Sequence, residues 1–282
     1  MRTSKKIPLK NYHEIKSKLL AWSQQFDQVV WLDSNEYPQK YSSFEAVLAV
    51  ASHTELSSDF DDAFRKLKKF KEKVDDYVFG YFSYDLKNDI EDLSSQNLDG
   101  LDFPELYFFQ PKKLFFLRDH ELEVQYLNEY EHQIESDLHE ISQYGAAIEP
   151  NQPKGKNLQE NAYVNVKIHK RITKKQYLKH LDTILANIHR GDIYEVNFCQ
   201  EFYANDAHIN PLLVYEHLND ISSPPFATFF KLKDNYLLSA SPERFVRREN
   251  NKIISQPIKG TAKRLIKKKL DEKLATLLEN DP

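Results

Sequence analysis

Cysteine is almost absent from this chain of 282 residues, since Cys199 is the only one. A single thiol can form neither an intramolecular disulfide nor a metal site with several thiolates. Such usage is typical of a reducing compartment, so the composition predicts a cytoplasmic protein. The first residues contain no secretory h-region, and no run of 18 apolar residues occurs. We therefore expect no association with a membrane.

Glycine is scarce as well. The six glycines lie so far apart that no two of them form a G-x-G spacing. Loops that cradle nucleotide phosphates need closely spaced glycines, because the backbone must approach the phosphates. The sequence therefore excludes nucleotide chemistry through a Rossmann fingerprint or a P-loop.

An excess of basic charge is also lacking. The chain has 39 Lys and Arg residues against 43 Asp and Glu residues, a net charge of −4, which argues against a nucleic-acid partner. The ten histidines show no zinc-binding spacing such as H-E-x-x-H,. Aromatic residues, in contrast, make up 13% of the chain and predict a folded protein with a substantial core.

Apolar residues at regular spacing define the elements of the first half. Spacings of three and four residues predict helices, and alternation or short aromatic runs predict strands. The predicted elements are helices over residues 11–27, 59–74 and 134–144, strands over 29–32 and 77–84, and a hairpin formed by 114–117 and 121–126.

A polar stretch without periodicity, residues 146–162, interrupts this pattern. It contains Pro150 and Pro153, and such composition is typical of a linker or a long surface loop. We predict that it separates an α+β region, residues 1–145, from a second region, residues 163–282.

The second region begins with a helix and continues mainly with short strands. Thr173 and Gln176 form a capping box at the start of the helix,. Consecutive strands joined by tight turns favour antiparallel sheets, so the predicted class is α+β, with antiparallel β-sheets packed as a sandwich and helices on the outside. The chain stops without an element to close the sheet, and we expect the C-terminal part of the fold to be missing. The predicted elements are strands over 193–202, 226–232, 236–240, 245–248 and 253–258 and helices starting at 211 and over 265–278.

Three short segments place reactive residue types in strands and turns. In the first segment, alternation puts Glu195, Asn197 and Cys199 on one face of the predicted strand over 193–202,. These side chains either line a polar pocket or form the ordinary polar face of an edge strand.

The other two segments contain candidate catalytic groups. In SPERF, a proline-induced bend presents Glu243, which is either a general acid or a surface partner of Arg244 or Arg247. In QPIKGT, Lys259 follows an apolar strand, where desolvation would lower the pKa of the amine and make it a nucleophile. A surface lysine or a lysine that holds an anion is the alternative. Gly260 allows a ligand to approach the backbone closely.

Taken together and in this order, GDIYEVNFCQEF, PPFATFF, SASPERF and QPIKGT resemble the chorismate-utilising enzymes. This family includes anthranilate, aminodeoxychorismate, isochorismate and salicylate synthases. The resemblance covers most of residues 165–264, and a looser match runs through LDS, YSSF and FGYFSYD in the first half. PIKGT is similar to the sequence of aminodeoxychorismate synthase component I, because the other members usually have alanine in place of Lys259.

The resemblance implies a reaction at the chorismate ring. The Lys259 amine adds to the ring as the 4-hydroxyl leaves, Glu243 protonates that hydroxyl, and ammonia then enters at C4 while the lysine departs. Gly260 and Thr261 are implied to bind the substrate. Glu195 stands where isochorismate synthases have a water-activating lysine, so addition of water is the less favoured chemistry.

The resemblance also implies a cofactor and partners. Ammonia would come from a separate glutamine amidotransferase subunit, and the product would be 4-amino-4-deoxychorismate for folate synthesis. The glutamates that hold Mg²⁺ in the family are expected beyond Pro282, so we expect the 282-residue chain to be incomplete or inactive alone. The alternatives are anthranilate synthase component I and a non-catalytic fragment or amino-acid-binding module.

A pocket that holds tryptophan in some members is a further implication of the resemblance. In the alternative, Pro225 and Phe226 only pack a junction between domains. The residues of this chain that correspond to the pocket are Ser34, Tyr41, Ser42, Ser43, Phe44, Pro225, Phe226 and Ala227.

Overall fold

The computed structural model describes residues 1–38, 41–144, 163–164, 166–258 and 262–280. The α-helices in these ranges have 10 to 17 residues and the strands 2 to 13 residues. The helices are α1 (Tyr12–Ser23), α2 (Ala63–Val74), α3 (Ile134–Gln143), α4 (Lys174–Arg190), α5 (Pro211–Ser222) and α6 (Lys268–Glu279). The strands are β1 (Arg2–Pro8), β2 (Gln28–Asp33), β3 (Ala46–Ser58), β4 (Phe79–Phe82), β5 (Leu106–Arg118), β6 (Glu121–Leu127), β7 (Tyr163–Val164), β8 (His169–Lys170), β9 (Phe202–Tyr203), β10 (His208–Ile209), β11 (Phe226–Leu232), β12 (Asn235–Ser241), β13 (Arg244–Glu249) and β14 (Lys252–Gln256).

An eight-stranded antiparallel sheet is the largest feature of the described residues. Seven strands follow the order β1-β6-β5-β3-β2-β11-β12, and β4 pairs with the first residues of β5. The predicted hairpin is the β5–β6 pair, and its turn residues Asp119 and His120 both have positive φ, at 52° and 59°. Every strand pairing in the described ranges is antiparallel. The α+β class with antiparallel sheets is therefore confirmed, while the sandwich packing stays a prediction.

Strands from both sides of residues 146–162 contribute to this sheet. Strand β11 pairs with β2, and in that register Ala227 lies opposite Asp33 and Phe229 opposite Trp31. The division into residues 1–145 and 163–282 follows chain order, whereas the sheet combines strands from both regions. The division itself stays a prediction, and the linker over 146–162 lies outside the described residues.

The core of the sheet is aromatic and branched, as strand propensity favours. Trp22 of α1 and Trp31 of β2 are almost completely buried. Helix α1 forms where predicted because the Asn11 side chain accepts a hydrogen bond from the backbone N–H of Glu14, which satisfies a free donor in the first turn,. Burial of Leu19, Leu20 and Trp22 then holds the helix on the sheet.

The chain divides into two compact units, one formed by residues 1–149 and 215–282 and the other by residues 150–214. In the second unit, helix α4 has the predicted capping box at Thr173 and Gln176. It ends at Gly191, whose φ of 84° is in the left-handed region that glycine adopts without a steric penalty,. Two short strand pairs, β7 with β10 and β8 with β9, belong to the same unit.

The predicted strand over residues 193–202 is wrong. Only Phe202 of that range lies in a strand, and Glu195, Asn197 and Cys199 are exposed. A strand needs a neighbour for its backbone hydrogen bonds, and in the described part of the chain β9 pairs only through Phe202 and Tyr203,. The alternation of residues 193–202 indicates which side chains could share a face, but it does not show that a partner strand is present. None of the helices in the described ranges is long and apolar enough to cross a membrane.

Candidate functional site

A cavity of about 270 Å³ lies where β2, β11 and β13 meet the segment that enters β3, and we call it the β2–β11 cavity. All eight residues of the predicted tryptophan-type pocket line it. Sequence reasoning did not assign five further lining residues to this pocket. The full lining is Leu32, Asp33, Ser34, Tyr41, Ser42, Ser43, Phe44, Pro225, Phe226, Ala227, Thr228, Arg244 and Arg247.

Two arginines of β13 give this cavity a positive wall. Arg244 Nη2 and Arg247 Nη1 donate to the carbonyl oxygen of Tyr41 at 2.8 and 2.6 Å, and Arg247 Nη2 donates to Ser43 Oγ at 3.0 Å. The Arg244 guanidinium also lies 4.9 Å from the centre of the Phe226 ring. Burial, together with the charge of Arg247, lowers the pKa of Arg244. Guanidinium groups beside aromatic rings suit a ligand with a carboxylate and a flat apolar part.

The acidic residue in the same wall is already neutralised by a cation. Asp33 is 6% exposed, accepts a hydrogen bond from the backbone N–H of Asn35 at 2.8 Å and forms a 2.9 Å ion pair with Lys16 of α1. The next residue, Ser34, donates its backbone N–H to the carbonyl oxygen of Glu45. These bonds hold the end of β2. Arg247 also forms a 2.6 Å ion pair with Glu249, so Asp33 and Arg247 both have a partner of opposite charge.

A pair of asparagines ties the loop that follows β2 to helix α5. The side-chain amides of Asn35 and Asn219 donate to each other's oxygens at 2.8 and 2.9 Å. The Asn35 amide also donates to the carbonyl oxygen of Pro224 at 2.8 Å. The contact fixes the start of β11, where Pro225 and Phe226 line the cavity.

A second cavity, of about 670 Å³, lies beside the end of β14, and we call it the Gln256 cavity. It shares Pro225, Phe226 and Arg244 with the β2–β11 cavity. Residues of the SASPERF and QPIKGT segments both line the Gln256 cavity. Its full lining is Tyr37, Pro38, Ser222, Ser223, Pro224, Pro225, Phe226, Ala240, Pro242, Arg244, Gln256, Pro257 and Ile258.

Glu243 lies at the bend between β12 and β13, as the proline before it predicts,. One carboxylate oxygen accepts the backbone N–H of Ile258 at 2.9 Å, and the backbone N–H of Glu243 donates to Ser241 Oγ at 3.2 Å. The side chain is thus anchored to the residue that precedes Lys259. Lys259, Gly260 and Thr261 lie outside the described residues, so the approach of the Lys259 amine to Glu243 stays a prediction.

A third cavity, of about 480 Å³, lies between α1, β2 and α5 and was not predicted from the sequence. Glu216 lines it, and burial, with the neighbouring charge of Asp220, raises the pKa of its carboxyl group. The only sequence signal was the spacing of four residues between these two acids, which surface helices commonly show. This cavity shares Asp33 with the β2–β11 cavity and Ser223 with the Gln256 cavity.

The described residues contain no group of three or more His, Cys, Asp or Glu side chains arranged to hold a metal ion. We therefore assign no step of a reaction to a metal held by the side chains of these ranges.

Comparison with known proteins finds a family model and several relatives that match this chain. The family model described as chorismate binding enzyme matches residues 27–282. Aminodeoxychorismate synthase component 1 of Salmonella typhimurium is 38% identical over 109 residues, which are 39% of this chain and 24% of that protein. The Escherichia coli protein of the same name is 36% identical over 109 residues, with the same coverage. An anthranilate synthase component I-like protein of Synechocystis is 27% identical over 186 residues, 66% of this chain and 36% of that protein. The chain thus matches about a quarter to a third of the length of these curated relatives.

Two solved structures have a similar fold. The menaquinone-specific isochorismate synthase of Escherichia coli superimposes with a TM-score of 0.59 at 14% identity, covering 100% of this chain and 59% of that one. Anthranilate synthase component I of Streptococcus pneumoniae superimposes with a TM-score of 0.60 at 18% identity, covering 87% and 60%. At these identities the likeness concerns the fold alone.

Proposed function

Because the chain belongs to the chorismate-binding enzyme family, we propose that it acts as the large component of an aminodeoxychorismate synthase, which replaces the 4-hydroxyl of chorismate by an amino group. The observation that carries the proposal is the anchoring of Glu243 to the backbone N–H of Ile258 at 2.9 Å. This contact places a carboxyl group beside the chain segment that continues into Lys259.

The proposed reaction has two covalent steps. In the first, the Lys259 nitrogen forms a bond to the ring, the bond between C4 and its oxygen breaks, and Glu243 transfers its proton to that oxygen so that water leaves. In the second, ammonia forms a bond at C4, the bond to the lysine nitrogen breaks, and the proton lost by the new ammonium group returns to the Glu243 carboxylate. Protonation is needed because hydroxide is a poor leaving group, and an amine whose pKa is lowered is a competent nucleophile. Gly260 and Thr261 are proposed to contact the substrate.

A separate glutamine amidotransferase subunit is the proposed source of ammonia. The relatives named component 1 support a second component, while its chemistry is our proposal. We further propose that the product is used in folate synthesis, that Mg²⁺ is a cofactor and that the protein is cytoplasmic.

The β2–β11 cavity is proposed to bind tryptophan or a similar amino acid. Arg244 and Arg247 supply positive charge for a carboxylate, and Phe44 and Phe226 supply flat apolar contacts,. Ser34, Tyr41, Ser42, Ser43, Pro225 and Ala227 complete the lining.

Anthranilate synthase component I is the second candidate function. The relative from Synechocystis, named as similar to that enzyme, matches 66% of this chain, which is more than the aminodeoxychorismate synthases match. Anthranilate is fluorescent and is released together with pyruvate, so product chromatography with fluorescence detection separates the two candidates. The presence of Lys259 favours amination over release of anthranilate.

Mass spectrometry of the full product of the gene tests the proposed nucleophile. After incubation with chorismate, we expect a protein adduct equal to chorismate less one water, located on Lys259. Lys259→Ala removes the adduct, whereas Lys252→Ala, an exposed lysine at the start of β14, leaves it unchanged. Glu243→Gln should slow adduct formation about 10²- to 10⁴-fold, because it removes the proton donor. An adduct that persists in Lys259→Ala would contradict the proposal.

A further inference from the structure

Arg244 joins two segments that are far apart in the sequence. Its Nη2 donates to the carbonyl oxygen of Tyr41 and its Nε donates to the side-chain oxygen of Gln256, both at 2.8 Å. Tyr41 begins the segment that lines the β2–β11 cavity, and Gln256 is the last residue of β14. One guanidinium group therefore contacts the wall of the first cavity and the strand that leads to Lys259.

The β13–β14 ladder ends at this point. Arg244 and Gln256 are register partners, and the register shifts between Arg244 and Arg247. The next residue, Pro257, has no backbone N–H and cannot extend the ladder. The N–H after it, that of Ile258, donates to the carboxylate of Glu243. Side-chain hydrogen bonds from Glu243 and Arg244 thus hold the chain where backbone pairing stops.

The geometry of these bonds favours arginine over lysine. The guanidinium presents its Nε and Nη2 donors in one rigid plane, so it can hold the Tyr41 carbonyl and the Gln256 amide at a fixed separation. Packing over the Phe226 ring, with 4.9 Å between the guanidinium carbon and the ring centre, restricts the plane further. A lysine has one nitrogen on a flexible stem and cannot fix two acceptors in this way.

We propose that Arg244 is a positioning residue that sets the course of the chain into Lys259 by holding Gln256 against Tyr41. The proposal rests on the proposed function only for the role of Lys259. Arg244 holds Gln256, and Glu243, besides its proposed role as proton donor, accepts from the N–H of Ile258, so the two side chains hold neighbouring parts of the same segment.

Hydrogen exchange and steady-state kinetics of the full gene product test this inference, with Arg244→Lys, Arg244→Met, Gln256→Met and the double variant Arg244→Lys/Gln256→Met. Arg248→Lys is the matched control, because Arg248 is exposed on the same strand and donates to the carbonyl oxygen of Asn250 within its own turn. All variants are compared with the unaltered protein, first without substrate and then with chorismate and ammonia.

Without substrate, we expect Arg244→Lys to speed amide exchange in the peptide over residues 252–258 about tenfold, since the bond to Gln256 is lost. With substrate, kcat should fall about 10- to 100-fold while KM changes about twofold or less, because a misplaced reacting group affects the chemical step more than binding. The kcat of the double variant should be no lower than that of the less active single variant. Such non-additive losses are expected of two residues that contact each other.

The inference would be overturned if Arg244→Lys left both amide exchange and kcat unchanged. It would also be overturned if the losses of kcat in the two single variants added up in the double variant. Should Arg244→Met fail to fold, Arg244→Lys and Gln256→Met still decide the outcome. Should the unaltered protein not convert chorismate, the proposed function fails, and the exchange measurement alone decides whether Arg244 positions the segment before Lys259.

Discussion

At the residue scale, the resemblance identified two groups of residues that line the β2–β11 cavity, one around Ser42 and one around Phe226, and it missed the two arginines of β13. The resemblance named Ser42, Ser43 and Phe44, which are consecutive and line the β2–β11 cavity together. Arg244 and Arg247 line the same cavity from about 200 residues away. Their spacing along β13 resembles that of any charged surface strand, so the sequence carried no signal for their direction.

Gly80 provides a prediction at the same scale. A Cβ built on Gly80 would lie 1.9 Å from the carbonyl oxygen of Tyr107 and 2.7 Å from Cα of Phe108, both backbone atoms of β5. Gly80→Ala should therefore displace β4 and lower the free energy of unfolding by about 1–3 kcal/mol. Gly100→Ala is the control, because nothing lies within 4 Å of a Cβ there. Urea unfolding curves compare the two variants, and equal midpoints would contradict the prediction.

At the scale of elements, local signals placed helices and hairpins well but did not decide whether an extended segment becomes a strand. The capping box of α4 and the β5–β6 turn depend on contacts between residues a few positions apart,. The range 193–202 has a clear alternation but little pairing in the structure. Alternation shows which face a strand could bury, whereas a partner strand must come from elsewhere in the chain.

Strand β1 is held at the sheet by an ion pair whose strength depends on pH. Arg2 and Asp76 are 2.8 Å apart and largely buried, and Gln110 also donates to Asp76 at 2.7 Å. Burial raises the pKa of Asp76, but the hydrogen bonds from Arg2 and Gln110 outweigh it, and the net pKa is lowered. The stability from this pair is therefore present above the unfolded-state pKa, about 3.9, and is lost as pH falls towards the lower pKa of the folded state.

Asp76→Asn should lower the free energy of unfolding at neutral pH by about 2 kcal/mol, as expected for a charged hydrogen-bonded pair. The difference from the unaltered protein should shrink as pH falls below about 3.9, where the unfolded-state carboxyl is protonated. Asp75→Asn, at the exposed neighbour, should change stability by less than about 0.5 kcal/mol. Denaturation measured across this pH range checks the result, and a difference independent of pH would refute the explanation.

At the scale of the whole molecule, the joining of β11 to β2 makes one sheet from distant parts of the chain. The residues that form the sheet come from 2–127 and from 226–241. Phe229 of β11 is completely buried, lies opposite Trp31 and contacts the ring of Tyr215 at a centroid distance of 5.6 Å. Stability of the first half should therefore depend on side chains of the second.

Phe229→Ala tests this dependence, because the chain has two tryptophans and both Trp22 and Trp31 lie in the first half. We expect the free energy of unfolding, measured by tryptophan fluorescence, to fall by about 3–5 kcal/mol, the usual cost of removing a buried phenylalanine. Phe245→Ala, on a ring that is 91% exposed, should leave the transition nearly unchanged. Were the two halves independent, the fluorescence transition would not move in Phe229→Ala either.

The amino-acid sequence was enough to predict the α+β class, most helices, the β5–β6 hairpin, the order of the chemical motifs and eight of the thirteen residues that line the β2–β11 cavity. Caps, turns and alternation depend on contacts over a few positions, so they can be deduced without a fold. Only the tertiary structure decided that β11 joins β2, that 193–202 is mostly not a strand, and that Arg244 connects Tyr41 to Gln256. Backbone hydrogen bonds between strands are chemically alike, so the choice of partner depends on how the whole sheet packs.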